Sequence, residues 1–448
     1  MLHLNIQGLR DESGWQAAHI ALPRYDVSAM QERTLAHPTW IHFGAGNIFR
    51  AFLAAAQQTL LNAGLTDTGI VAAASHNFHA AAENYVPYDN LSLLVRMHAD
   101  GSCDREVIGS VAGCLKADWQ DGDWQTLTRM FRDPALQMVS FTITEKGYAL
   151  RDMDGTLLPV VAQDLAAGPF RPRHTLSIAV ALLYQRFLAG GSPIAVVSMD
   201  KKLRDSCLTL AEGWQEGGFV PEDFLRWLSC EESVSFPWSM IDKITPHPSQ
   251  KVADQLTALG VAGMAITKSA TGTVSAPFVN AEVTEYLVLE DHFPNGRPPL
   301  EQAGVYFTDR ATVEKSEKMK VGTCLNPLHT ALAVFGCLLD YQTISAEMQD
   351  TDLVTLVERI AGESLPVVED PGILRHTEFI YQVLHESFPN HSRHAPAHRH
   401  RYLSEATSAL RRHLAPLPGT QPPHGAAAVY PAGLCRLVPL SAGSRRCR

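Results

Sequence analysis

Short apolar runs alternate with helix-spaced segments through the first two thirds of the chain. Thr39-Trp40-Ile41-His42-Phe43 is a β-prone run, and residues 69–74, 139–144 and 194–199 repeat the type. Apolar positions recur at helical spacing over 51–62 and 176–189. Beyond about residue 300 the strand-like runs give way to helical ones, chiefly 328–339 and 352–361. Alternating β and α elements predict a parallel, doubly wound sheet with its ligand at the carboxyl ends of the strands. The expected fold class is therefore α/β: an N-terminal doubly wound sheet followed by a mostly α-helical C-terminal domain. No internal repeat interrupts this pattern.

The first strand runs into Gly44-Ala45-Gly46-Asn47-Ile48-Phe49-Arg50 and then a helix. Such a turn lets backbone approach a pyrophosphate, and the helix N-terminus offers free N–H groups and partial positive charge. A bare Gly-x-Gly also reads as an ordinary tight turn; its place between strand and helix favours a Rossmann-type dinucleotide site. Gly44, Gly46, Asn47, Ile48 and Arg50 are the candidate cofactor contacts, with Asp200 of Ser198-Met199-Asp200 on the same edge. Asp200 reads equally as a helix cap. The acidic residue that normally binds the adenosine ribose is missing, since residues 69–74 lead into Ser75-His76-Asn77. The choice between NAD and NADP stays open on this ground. The expected division is an arm over 1–36, a dinucleotide-binding domain over 37–278 and a truncated helical substrate domain over 279–390, with residues 391–448 apart.

Composition narrows the function class. The 37 basic and 47 acidic side chains give a net charge of −10, which offers no general attraction to nucleic acid or an anionic membrane. No run of about 18 uninterrupted apolar residues is present, and the first residues lack a signal-peptide pattern, so the expectation is a cytoplasmic protein without a membrane segment. The eight cysteines show no Cys-x-x-Cys pair or metal-ligand spacing. Neither a disulfide framework nor a metal site is expected.

Two further segments carry candidate chemistry. Thr142-Ile143-Thr144-Glu145-Lys146-Gly147-Tyr148 follows a buried strand where the crevice should open; Glu145 reads evenly as a proton relay or a surface partner of Lys146. Glu317-Lys318-Met319-Lys320 precedes Asn326-Pro327-Leu328-His329. Asn before Pro is a helix-start signature, which would place His329 in the first turn as a neutral imidazole able to orient a hydroxyl. Asn326 could donate to a developing oxyanion, and Lys320 could act as a general base if desolvated. Taken singly, these read as a cap, a satisfied histidine and a solvated lysine.

Together these residues, with Ser235-Phe-Pro237, Met240-Ile-Asp242-Lys-Ile244, Glu290-Asp-His-Phe293 and Gly296-Arg297-Pro298, resemble the polyol-specific long-chain dehydrogenase/reductase family. That group includes mannitol 2-dehydrogenase and fructuronate reductase (mannonate oxidoreductase). The resemblance covers roughly residues 37–390. It implies metal-independent hydride transfer between a nicotinamide cofactor, NAD by preference, and a linear sugar alcohol or sugar acid. It further implies Lys320 as general base, Asn326 polarising the carbonyl, His329 holding substrate, and Glu145 and Glu317 on the proton path. A small-molecule partner, no nucleic acid, and a monomer or weak oligomer are expected. The alternatives are a mannitol 2-dehydrogenase and a catalytically defective member that binds nucleotide at most.

Four departures from the family pattern stand out. Phe49 replaces the histidine of the usual glycine loop. Lys320 lies six residues before Asn326 where many members have five, which calls for a local bulge. Asp200 runs straight into Lys201-Lys202-Leu203 without the asparagine that would complete an oxyanion site. Finally, residues 391–448 hold nine arginines, seven prolines and a single acidic residue, Glu405. This composition suits a disordered basic tail. However, codons can be written for residues 391–402 that read IPDTPQRIATDT one base later, a family-like sequence, and residues 428–446 can likewise encode an apolar helical pattern. The tail is thus read as a frameshift product, with loss of the last helices and exposure of apolar surface on the helical domain.

Overall fold

The computed structural model describes residues 1–388 apart from 77, 99, 144, 198–202, 269–273 and 342. Among these residues fourteen strands follow in chain order: β1 Trp40–Phe43, β2 Ile70–Ala74, β3 Ser92–Met97, β4 Cys103–Ile108, β5 Val111–Lys116, β6 Met138–Phe141 and β7 Ile194–Val197. Then come β8 Val234–Ser235, β9 Ser239–Lys243, β10 Thr267–Lys268, β11 Val274–Ser275, β12 Phe278–Glu282, β13 Glu285–Glu290 and β14 Tyr306–Thr308.

The main sheet has the order β5-β2-β1-β6-β7-β8, and every pairing in it is parallel. Counted within the sheet, this is the 3-2-1-4-5-6 order of a Rossmann-type fold, with its topological switch between β1 and β6. All four residues of β1, β6 and β7 are buried, as are the five of β2. Strands covered on both faces read as continuous apolar runs, and that is why they stood out in the sequence. Helices Asp123–Arg132 and Thr175–Leu188 pack together on one face, in the cluster holding Phe43, Phe131, Phe141, Leu182 and Val196. The other face is covered by helix Ala54–Asn62, whose Leu60 packs in a cluster with Ile70 and Val197.

Around this sheet lie two smaller three-stranded sheets, β12-β3-β4 and β14-β13-β9. The expected boundary between 278 and 279 falls at the start of β12. The arm preceding β1 packs down on the body: Trp15 and Met30 are fully buried, and Ala21 bridges to Glu106.

The C-terminal part is helical, with one difference from the expected pattern. Arg310–Glu317, Lys318–Leu325 and Asn326–Leu338 form one unbroken helix whose middle segment is π-helical. Asn326 therefore does not cap a helix: its φ of −62° and ψ of −41° are helical, and the chain enters Pro327 already wound. The physical reason is the π segment. Wider turns leave backbone carbonyls without their usual partners, so Pro327, which has no N–H to give, is accommodated there. His329 consequently lies well inside a long helix and not in a first turn, and the dipole argument for its neutrality lapses. The helix Arg310–Leu338 has the length and mean apolarity of a membrane span, and 29% of its most apolar window is buried. Its N-terminal third packs on β9 and β13, and its C-terminal third on helix Thr351–Ser364.

Candidate active site

Gly44 follows β1 at φ +123°, a conformation that favours glycine, and its N–H donates to Ala73 O at 3.1 Å. A Cβ there would lie 2.8 Å from the Thr142 carbonyl oxygen and 3.0 Å from its hydroxyl. The ends of β1 and β6 thus close together at the switch point only because residue 44 has no side chain. At Gly46 a Cβ would meet nothing within 4 Å, and Ile48 beside it is exposed. Arg50 N–H donates to Gly46 O at 3.2 Å, which marks Gly46 as the start of the helix. This is an open cradle of backbone at a helix N-terminus, and it fits a dinucleotide pyrophosphate.

Arg50 serves the turn from behind. Its guanidinium is buried, donates to Asn47 Oδ1 at 2.8 Å and Ala276 O at 2.9 Å, and lies 5.9 Å from the Tyr85 ring centre. Tyr85 in turn donates to Ala45 O at 3.0 Å. Asn47 and Arg50 therefore brace the loop, while Gly44, Gly46 and Ile48 border its mouth. Glu145 opens the short helix Glu145–Tyr148 just after β6, across the switch point from the glycine turn. Asp200 lies outside the described residues, as do Ser198, Met199 and residues 391–448.

Lys320 occupies the π segment and is fully buried. Its Nζ lies 2.8 Å from Asp242 Oδ2 and forms an ion pair with it. The same nitrogen is 3.7 Å from the Tyr286 ring centre and 4.8 Å from that of Phe379. Burial pushes the Lys320 pKa down to about 8, against the opposing pull of Asp242. An amine that would be cationic in water is here poised to gain or lose a proton near neutrality.

The cage around Lys320 is built from three elements. Asp242 on β9 and Tyr286 on β13 are direct antiparallel partners, so their side chains stand on one face of that ribbon. Phe379 comes from helix His376–Gln382 and packs edge-on to Tyr286 at 5.8 Å. Gln382 of the same helix accepts a hydrogen bond from the Tyr286 hydroxyl. Lys243, next to Asp242, points to the other face, where its ammonium pairs with Glu285 at 2.8 Å.

Of the residues expected from sequence, Glu317, Lys320, Asn326 and His329 lie along one helix. Glu317 is one turn before Lys320 and half-buried, Asn326 is exposed, and the His329 ring meets Phe388 edge-on at 6.0 Å. Sequence reasoning gave no site role to Asp242, which it named only within a family motif, nor to Tyr286 and Phe379. A charged pair, Asp242-Lys243, inside a short β run was the available signal for the first. Nothing in one sequence marks the two aromatic residues, because their proximity to Lys320 is a tertiary fact.

Comparison with known proteins gives the family. The family model described as "Mannitol dehydrogenase Rossmann domain" matches residues 38–302. D-mannonate oxidoreductase of Thermotoga maritima is 46% identical over 397 residues, covering 87% of this chain and 73% of that protein. Polyol:NADP oxidoreductase of Gluconobacter oxydans is 29% identical and covers 79% and 69%. The solved ternary complex of Pseudomonas fluorescens mannitol 2-dehydrogenase with NAD and D-mannitol superimposes with a TM-score of 0.70 at 27% identity, over 88% of this chain and 75% of that one. By its match to the family model and its identity to the mannonate enzyme, this chain belongs to the mannitol dehydrogenase family of oxidoreductases.

Proposed function

We propose that this protein is a NAD-dependent oxidoreductase that interconverts a keto sugar acid of the fructuronate type with its mannonate-type alcohol, using Lys320 as general acid/base. The observation that carries the reading is the buried Lys320 amine, set against Asp242 and two aromatic rings with its pKa pushed down to about 8. The substrate class follows the 46% identity to D-mannonate oxidoreductase, well above the 29% found with mannitol 2-dehydrogenase of Cereibacter sphaeroides. NAD is preferred because the solved mannitol 2-dehydrogenase of Pseudomonas fluorescens is a complex with NAD.

Gly44, Gly46 and Ile48 would hold the dinucleotide, with Asn47 and Arg50 supporting the loop. When bound, the nicotinamide supplies the hydride acceptor for the alcohol, or the donor for the ketone. In the oxidative direction neutral Lys320 takes the hydroxyl proton as the carbonyl forms; in reduction its ammonium returns one. Asn326 donates an amide hydrogen to the carbonyl oxygen, His329 holds a substrate hydroxyl, and Glu317 and Glu145 pass the proton toward solvent. The dinucleotide half spans 37–278 and the substrate half 279–390.

The test is a panel assay following NADH and NADPH absorbance with fructuronate, tagaturonate and fructose. It is run on this chain, on its Lys320→Met variant and on a version with the family-like frame restored after residue 390. Turnover of fructuronate with NADH, lost in Lys320→Met, is expected. Preferred turnover of fructose would assign the mannitol 2-dehydrogenase activity instead, and nucleotide binding without turnover in any version would mark a binding-only member.

A further inference from the structure

A chain of four side chains crosses from β1 to β6 directly behind the glycine turn. His42 pairs in register with Ser140, and residues 40, 42, 140 and 142 share one face of the sheet by the two-residue period. Trp40 Nε1–H donates to Ser140 Oγ at 2.7 Å, His42 Nδ1 lies 2.7 Å from the same oxygen, and His42 Nε2 lies 2.7 Å from Thr142 Oγ1. Phe49, the residue that replaces the family's loop histidine, stacks flat on the His42 ring at 4.4 Å and 6°.

One assignment of the hydrogens in this chain leaves no buried donor without an acceptor, and the reverse tautomer of His42 would strand the hydrogen of buried Ser140. An indole is only a donor, so Ser140 Oγ accepts from Trp40. The hydrogen of Ser140 has one acceptor among its partners, His42 Nδ1. His42 is fully buried, which holds the imidazole neutral, so its single hydrogen is on Nε2 and goes to Thr142 Oγ1. The Thr142 hydroxyl has then accepted, and its own hydrogen finds no acceptor among the described residues. Thr142 is half-buried, and its oxygens are the atoms that a Cβ on Gly44 would strike.

We infer that Thr142 is a cofactor-positioning residue: its hydroxyl, oriented by Trp40, Ser140 and His42, donates to an oxygen of the nicotinamide-side phosphate or ribose at the switch point. The inference rests on the nucleotide reading above and adds to it a donor outside the glycine turn. Backbone at Gly44 does not fill this role, because its N–H is already spent on Ala73 O.

The test titrates the full chain and its Thr142→Val and Thr142→Ser variants with NADH, with ADP-ribose, which carries the pyrophosphate and both riboses, and with AMP. Thr142→Val should raise Kd for NADH and ADP-ribose about tenfold, the worth of one hydrogen bond to a charged acceptor. Its Kd for AMP should stay at the parent value, and Thr142→Ser should restore all three. Equal binding of NADH by parent and Thr142→Val overturns the inference while leaving the nucleotide reading intact. So does a parallel loss for AMP, which would signal a general lesion, or a failure of serine to rescue. A parent that binds neither NADH nor ADP-ribose overturns both.

Discussion

Replacing Asp242 with asparagine separates the two forces acting on Lys320. Burial lowers the amine's pKa and the carboxylate raises it, and the balance lies at about 8. Asparagine keeps the shape and removes the charge. An opposite charge within hydrogen-bond distance shifts a pKa by about one to three units, so the Lys320 amine should fall to roughly 5–7 in Asp242→Asn. Oxidation needs the neutral amine, whose fraction at pH 7 is about one tenth when the pKa is about 8. With the pKa near 6.5 that fraction becomes roughly three quarters, so the acid limb of the oxidation profile should move down by about one and a half units. Reduction needs the ammonium and should lose rate at neutral pH in the same variant. The assay is initial rate against pH, from about 5 to 10, for mannonate oxidation and fructuronate reduction. An apparent pKa that stays in place or moves to higher pH in Asp242→Asn would refute the reasoning, as would an unchanged acid limb in Lys320→Met.

Gly44→Ala puts a Cβ 2.8 Å from the Thr142 carbonyl at φ +123°, so NADH binding should weaken at least tenfold and the melting temperature should fall, the strain costing about 1–3 kcal/mol; titration and thermal melts check this. Glu347 is fully buried, neither carboxylate oxygen has a hydrogen-bond partner among the described residues, and burial pushes its pKa up to about 8. A carboxyl whose folded pKa exceeds its unfolded one loses stability as pH rises, here by about 1.4 kcal/mol per unit between about 4.5 and 8; denaturant titrations at both ends should show that slope, and Glu347→Gln should remove it. Sequencing the DNA across codons 385–395 should reveal a one-base change that restores the family-like frame; an intact upstream frame without that alternative reading would sink the frameshift reading of residues 391–448.

The doubly wound sheet was legible because buried parallel strands are uninterrupted apolar runs, and the glycine turn because its place after β1 is a local feature. Strand ends were less so: β6 stops at Phe141, although Thr142 and Ile143 continue its β-prone composition. The cage around Lys320 was illegible for a different reason. Asp242, Tyr286 and Phe379 come from three elements separated by dozens of residues, and no period in the sequence links them. The Trp40–Ser140–His42–Thr142 chain has a partial signature, polar residues alternating into two apolar strands, whose meaning depends on which strands become neighbours.

The spacing of Lys320 and Asn326 shows how a local irregularity reconciles sequence with site. An α-helical residue advances about 100°, so five residues carry a side chain roughly 140° past a full turn and six roughly 240°. A plain α-helix with the extra residue would swing Asn326 about a quarter turn or more away from where a five-residue spacing places it. A π turn holds one residue more than an α turn, so six residues wound this way return close to the five-residue angle. The π-helical stretch over Lys318–Leu325 spans this interval almost completely. The insertion is thereby confined to the segment that carries Lys320, and the helix on either side keeps its register against β9 and β13 before it and helix Thr351–Ser364 after it. That arrangement also explains why a helix with glycine and proline inside it, Gly322 and Pro327, does not break. Ordinary α geometry is what those two residues disfavour, and tertiary packing of Lys320 in its cage supplies the reason to depart from it.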